Sequence, residues 1–328
     1  MKLAVISIQY LFLWMYLTAL FMTIAGCAPE KSKAPPHDAA PRPLATPFPK
    51  SPTQQRAPAG QPTDDVLPQS APEGMLPVPG GTFTMGLNHP RAIPDEMTEH
   101  DVTVNPFYLD KTEVTNRAYN TCVDAGVCRR PRDIDTEKSR FEPLRFFRSE
   151  NRPVSGVSRL DAKTYCHWRN KRLPTEAEFE RAARGDDNRL YAWGNDAPSS
   201  ERAVYASRVT KEVGSCPKGA GPFGHLDLAG NVWEWTADLY DPLAYTRETA
   251  AEGIPADCDT IKKTQDQLRR EGRQGFTGTN PIPVECDYVL RGGAFNYFAW
   301  GLRASNRVHH PEDWRIIMAG FRCAKNFP

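Results

Sequence analysis

Cysteine is the residue with most chemistry to offer in this 328-residue chain, which holds eight of them. A thiol can close a disulfide, ligate a soft metal or act as a nucleophile, and compartment and spacing decide which. Cys122 and Cys128 lie close enough for a local bridge, and Cys258 and Cys286 flank a hydrophilic stretch whose base they could staple. Cys216 is then left odd, or pairs with either of the last two. Hard oxygen donors gather in Asp227-Leu-Ala-Gly-Asn-Val-Trp-Glu234, where two carboxylates bracket a glycine. Calcium takes several hard oxygens in a flexible arrangement, and a glycine lets the backbone curl its carbonyls inward. An Asx-type turn at Asp227, with Glu234 paired to an arginine, uses the same residues. His309 and His310 are adjacent and precede Pro311, so both cannot easily face one metal; they read as loop histidines.

Residues 1–26 read as a targeting segment. Lys2 is followed by an uncharged apolar run through Ile6, Leu11, Trp14, Leu17 and Phe21. The run ends in Ile24-Ala-Gly-Cys27, which resembles a bacterial lipobox and implies lipidation of Cys27, the acyl chains becoming the membrane anchor. The run is also long enough to span a bilayer, the alternative reading. Ala28 follows the cysteine rather than an aspartate, which by resemblance to Gram-negative sorting favours the outer membrane. Export to an oxidising compartment favours bridges over a thiolate metal site at Cys122 and Cys128. Residues 27–75 are rich in Pro, Ala, Ser, Lys and Gln and nearly free of aromatics, so they cannot bury enough apolar area to offset ordering entropy. They read as a tether reaching on the order of 150 Å at ~3.1 Å per residue. Residues 76–328 are then one domain, and a net charge of +1 gives no reason to expect nucleic acid as a partner.

The elements that must position these residues are short. Phe83 and Met85 alternate inward in an opening strand, and Val102 and Val104 share a face in the next. Thr115 is placed to cap a helix through Ala118 and Tyr119, and Leu160, Ala162, Tyr165, Cys166 and Trp168 recur at helical spacing over about 159–171. Thr175-Glu-Ala-Glu178 is a capping-box pattern opening a third helix to Arg184. Beyond Gly185 the chain becomes loop-rich, with only short strands expected.

Four motifs together, Arg172-Leu-Pro-Thr-Glu-Ala-Glu-Phe179, Gly230-Asn-Val-Trp-Glu-Trp235, Arg291-Gly-Gly-Ala-Phe-Asn-Tyr-Phe-Ala-Trp-Gly-Leu-Arg303 and Gly320-Phe-Arg-Cys-Ala324, resemble the formylglycine-generating enzyme (sulfatase-modifying factor) family. The resemblance implies an α+β, C-type-lectin-like fold of low regular secondary structure. It implies a Cys166–Cys323 disulfide; Cys122–Cys128 and Cys258–Cys286 stay the further candidates, with Cys216 odd or paired with either of the last two. It implies calcium held by the side chains of Asp227 and Glu234 and the carbonyls of Gly230 and Val232. The family's other calcium site needs an acid between Trp193 and Gly224, where no match is found. The family's oxidases carry two thiols just after the Arg-Gly-Gly, which hold copper and capture a substrate cysteine. Counted without gaps those positions fall on Tyr297 and Leu302, so copper is not expected. Trp300, Arg303 and Arg307 fall where the family lines its groove, although an arginine there serves equally as a structural ion-pair partner. Trp193, Trp233 and Trp235 read as core. Related non-heme iron enzymes draw their ligands from a separate N-terminal helical domain, in whose place this chain offers the tether. Two segments depart from the family: 129–150, with Phe141, Phe146 and Phe147 among its charges, and the hydrophilic 241–287, which would lie near the groove.

The expected function is a non-catalytic binding or scaffolding module at the cell envelope, recognising a peptide, a glycan or a partner protein. The alternative is a formylglycine-generating-type oxidoreductase with a relocated site, for which Cys216 is the candidate thiol.

Overall fold

The computed structural model describes residues 71–90, 92–132, 141–247, 249–253, 256–273 and 282–328. The targeting segment, Cys27 and most of the tether lie outside them, as do parts of both insertions.

Strands β1 (Met75–Val78) and β2 (Gly81–Met85) do not pair with each other. β1 pairs with β4 (Phe107–Asp110), and β2 pairs with β3 (His100–Val104) in a separate two-stranded sheet. Phe83, Met85, Val102 and Val104 are buried together between that hairpin and Ala177. Asn105-Pro106 separates β3 from β4, since proline supplies no ladder N–H.

The helices begin where their caps put them. Thr115 Oγ1 accepts from the Ala118 N–H at the start of α1 (Asn116–Asp124). α2 is a single turn (Leu144–Phe147) inside the first insertion, its Phe147 buried. Ser158 and Asp161 form a capping box that opens α3 (Arg159–Trp168). α3 stops short of Lys171 because Asn170 turns left-handed, at φ 54°. Thr175 and Glu178 close the expected capping box of α4 (Glu176–Arg184). α4 is buried along its whole length although five of its residues are charged, so each charge needs a partner inside the protein. The second insertion is not only an extended loop. It contains α5 (Cys258–Arg270), capped by Asp257, with Ile261, Gln265 and Leu268 on its buried side.

A four-stranded sheet in the order β7-β6-β5-β8 organises the second half of the chain. β5 (Trp233–Leu239) pairs antiparallel with β6 (Tyr288–Arg291) and parallel with β8 (Ala319–Gly320), and β6 pairs antiparallel with β7 (Arg307–His310). β9 (Ala324–Asn326) returns to β4. The main core lies between this sheet, α1 and α3, where Tyr119, Tyr165, Trp235 and Phe321 meet. Disulfides join Cys122–Cys128, Cys166–Cys323 and Cys258–Cys286, and Cys216 remains a buried free thiol.

Candidate functional site

β6 runs into Arg291-Gly-Gly, where Gly292 and Gly293 take φ of 93° and 83°. A Cβ on Gly293 would stand 2.7 Å from the Gly301 carbonyl oxygen, so only glycine lets the following loop fold back this closely. That loop carries the two positions in question. Tyr297 is half-buried with its ring edge-on to Trp233 at 5.1 Å, and burial pushes its phenol up. Leu302 is fully buried among Phe179, Leu228 and Ala304. A phenol against an indole and an aliphatic core residue do not fit copper(I), which needs soft thiolates. Cys216 belongs to another cluster, with Phe147, Val204, Phe295 and Ile317. Its Sγ donates to the Ser200 carbonyl at 3.6 Å, and burial pushes its thiol up, which disfavours the thiolate that a nucleophile or ligand requires.

The two groove arginines are structural, which corrects their assignment as ligand contacts. Arg303 is 4% exposed and pairs with Glu96, whose Oε2 also accepts from Ser305 Oγ at 2.7 Å. Arg307 is 2% exposed and grips Glu176 with two bonds, of 2.8 and 2.7 Å. Its cross-strand partner Arg291 reaches the same Glu176 at 3.0 Å and also Glu180, one turn further along α4. Tyr245, from the start of the second insertion, donates to Glu176 at 3.2 Å, so that segment helps build the buried layer. Bidentate pairs of this kind hold a buried charge by satisfying its donors; they leave no fork for a ligand. Exposed aromatics remain at the loop's surface: Phe298 at 57% and Trp300 at 41%. Trp233 and Trp235 are core, and Trp193 is half-buried, stacked on Tyr191 at 4.9 Å.

At Asp227–Glu234 the backbone curls through left-handed positions at Asp227, Gly230 and Asn231, with φ of 55°, 89° and 63°. Gly230 is required for packing as well as for curvature, since a Cβ there would meet the Val204 carbonyl oxygen at 2.5 Å. Asp227 Oδ2 accepts from the Gly214 N–H at 2.5 Å, and Arg322 donates to both Glu234 oxygens at 2.7 Å. Glu113 joins them, a residue that sequence reasoning passed over as the lead-in to α1. No N–H or hydroxyl donor of the described residues reaches either of its oxygens, so its one polar side-chain neighbour is the Asp227 carboxyl, with which it can share a proton. Burial, then the charges of Asp227 and Glu234, hold the Glu113 carboxyl well above the usual range; burial raises Asp227 and Glu234 as well, against the pull of Arg322. Three buried carboxyls around one guanidinium favour binding a proton or a cation. Among the described residues no three His, Cys, Asp or Glu side chains are arranged to hold a metal, but main-chain carbonyls make up half of the expected calcium ligands.

His309 and His310 lie in strand β7 rather than a loop, and neighbours on a strand face opposite ways. His309 is buried against Tyr240 and contacts Asp287 at 2.7 Å; His310 stacks on Trp314.

The family model described as "Sulfatase-modifying factor enzyme 1-like domain" matches residues 62–327. The chain is 29% identical over 307 residues to the formylglycine-generating enzyme of Thermomonospora curvata, covering 78% of this chain and 95% of that protein. It is 32% identical over 213 residues to the inactive C-alpha-formylglycine-generating enzyme 2 of Bos taurus, covering 51% and 71% respectively. Among solved structures, PvdO from Pseudomonas aeruginosa is similar with a TM-score of 0.58 at 25% identity, covering 77% of this chain and 94% of that one.

Proposed function

The chain belongs to the sulfatase-modifying factor family and has its α+β, C-type-lectin-like fold, and from that premise we propose a non-catalytic binding or scaffolding module of the cell envelope. The observation that supports this reading is the pair Tyr297 and Leu302, a half-buried phenol and a core aliphatic side chain at the positions where a gapless count from Arg291 puts the thiols of the family's oxidases. Neither supplies the soft thiolate that copper(I) needs or can form a mixed disulfide with a substrate cysteine. The bovine relative that is named inactive supports it. The ligand is a peptide, glycan or partner protein meeting Phe298 and Trp300, since exposed rigid aromatics supply contact area at little entropic cost.

A lipid on Cys27 holds the module at the membrane, on the outer membrane of a Gram-negative cell, and residues 27–75 tether it. Calcium braces the domain through the side chains of Asp227 and Glu234 and the carbonyls of Gly230 and Val232. Its charge would offset the excess of buried carboxyls that includes Glu113, while its role there is structural.

The identity to the Thermomonospora curvata enzyme over nearly its whole length favours a second reading, a formylglycine-generating-type oxidoreductase with a divergent site. One experiment separates the two. The purified chain is incubated with a sulfatase-type cysteine peptide, copper, oxygen and reductant, and the peptide is weighed by mass spectrometry. No aldehyde, together with binding of a peptide or glycan that Trp300→Ala weakens, is the expected result. Aldehyde formation overturns the module reading.

A further inference from the structure

A second surface, sharing no residue with Phe298 and Trp300, is built on the outer side of α3. Leu160, Lys163, Thr164 and His167 recur at i, i+3, i+4 and i+7 and are exposed, while Ala162, Tyr165 and Cys166 face the core. With Val127 and Trp168 those four line a cleft of about 450 Å³ whose walls are mainly apolar. A second concavity of about 280 Å³ continues past Lys163 and His167 to Leu173.

Both walls are pinned. The Cys122–Cys128 disulfide closes the tight turn that carries Val127, whose side chain stands 47% exposed. The Cys166–Cys323 disulfide and the Ser158–Asp161 capping box hold α3. Leu160 and Val127 are therefore apolar side chains held in water on a rigid frame, and burying them under a partner costs little further ordering. Beside them, Lys163 and Arg169 have no carboxylate partner among the described residues, and Arg169 lies over the Trp168 ring. Lys171 and Arg172 are turned to Asp110 and Glu178.

We propose that this cleft docks an acidic polypeptide segment of another protein, which seats apolar side chains between Val127, Leu160 and Trp168 and sets a carboxylate against Lys163. The shape favours a polypeptide over a bilayer. Surface-binding elements push an apolar edge outward into the lipid, whereas here the apolar residues line a concavity. Charge disfavours a second copy of the chain, because a two-fold pairing of this face would set Lys163 and Arg169 against their own counterparts. An acidic segment meets both requirements, the apolar floor giving affinity and the carboxylate orientation.

The test selects a phage-displayed library of random peptides about a dozen residues long on the purified full chain. Enriched peptides are expected to combine Asp or Glu with Leu, Ile, Phe or Trp. A synthetic copy should lose at least about tenfold in affinity against Leu160→Ser and against Lys163→Glu, the scale of a lost anchor. Its melting temperature should barely move with either change, because both side chains are exposed. Replacing the peptide's acid by lysine should restore binding to Lys163→Glu, which keeps the test valid even if Leu160→Ser disturbs the fold. The selection is repeated on Trp300→Ala to remove peptides of the other surface, and enriched peptides that still bind Leu160→Ser and Lys163→Glu unchanged overturn the proposal. So does Lys163-dependent binding to phosphatidylglycerol vesicles with no peptide enriched, and so does a dimer in sedimentation that Leu160→Ser dissolves.

Discussion

Asp238, near the end of β5, should make the domain lose stability as pH rises from about 4 towards neutrality. Its Oδ2 accepts from the Glu176 N–H at 2.6 Å in the first turn of α4. Burial, then the charge of Glu176, pushes its carboxyl up from 3.8 to about 7. In the unfolded chain the group returns to about 3.9. A carboxyl raised in the folded state contributes stability that is fully present below the unfolded value and is lost as pH rises through the folded one, here between about pH 4 and 7. At about 1.4 kcal/mol per pH unit, that interval corresponds to about 4 kcal/mol. Asp238→Asn keeps an oxygen for the Glu176 N–H but has no charge to bury. Urea denaturation of both proteins from pH 4 to 8.5 should therefore give curves that diverge with pH, the variant ending about 4 kcal/mol the more stable, or roughly 10 °C higher in melting temperature. Asp95, raised by burial to about 6, adds a slope to both proteins and cancels in the difference. Parallel curves, or a variant less stable by the same amount at every pH, would refute the reasoning, because the carboxylate would then be ionised and favourable.

Removing the Cys166–Cys323 bridge with paired Cys→Ala changes frees a loop of 157 residues and should cost about 5 kcal/mol at most, read by denaturant titration; an unchanged midpoint would discount the staple. Arg307→Ala takes from Glu176 its bidentate partner, leaving only Arg291 and Tyr245 on one of its oxygens, and should cost about 3 kcal/mol, with Arg307→Lys a poor rescue because one ammonium cannot make both bonds. If Arg307 instead served a ligand, binding would fall with stability intact. Chelation should lower the melting temperature of the wild type and leave Asp227→Ala unaffected; an insensitive wild type containing no calcium by elemental analysis removes that ion. Cys27→Ser should shift the protein out of the membrane fraction, whereas unchanged fractionation with an intact N-terminus would indicate a spanning anchor.

Local chemistry made much of this protein legible in its sequence. Thr115 and Thr175 announce their helices through side-chain oxygens that cap nearby N–H groups, a short-range geometry that the sequence spacing already contains. The motifs around Arg291-Gly-Gly and Gly320-Phe-Arg-Cys carry the fold because glycine and disulfide geometry tolerate few substitutes. Contacts made across the chain were not legible. Arg303 and Arg307 look like groove residues until Glu96 and Glu176, more than a hundred positions earlier, are brought against them; the same distance hid Glu113 from Asp227. The five charges of α4 do not show their partners in the sequence, because burial forces each to find one and only packing decides which. α5 was obscured by its hydrophilic composition, although Ile261, Gln265 and Leu268 keep helical spacing. Spacing along a chain fixes caps, turns and periodicity because those interactions span a few residues, while the ionisation of a buried group depends on everything the fold carries to within a few ångströms of it.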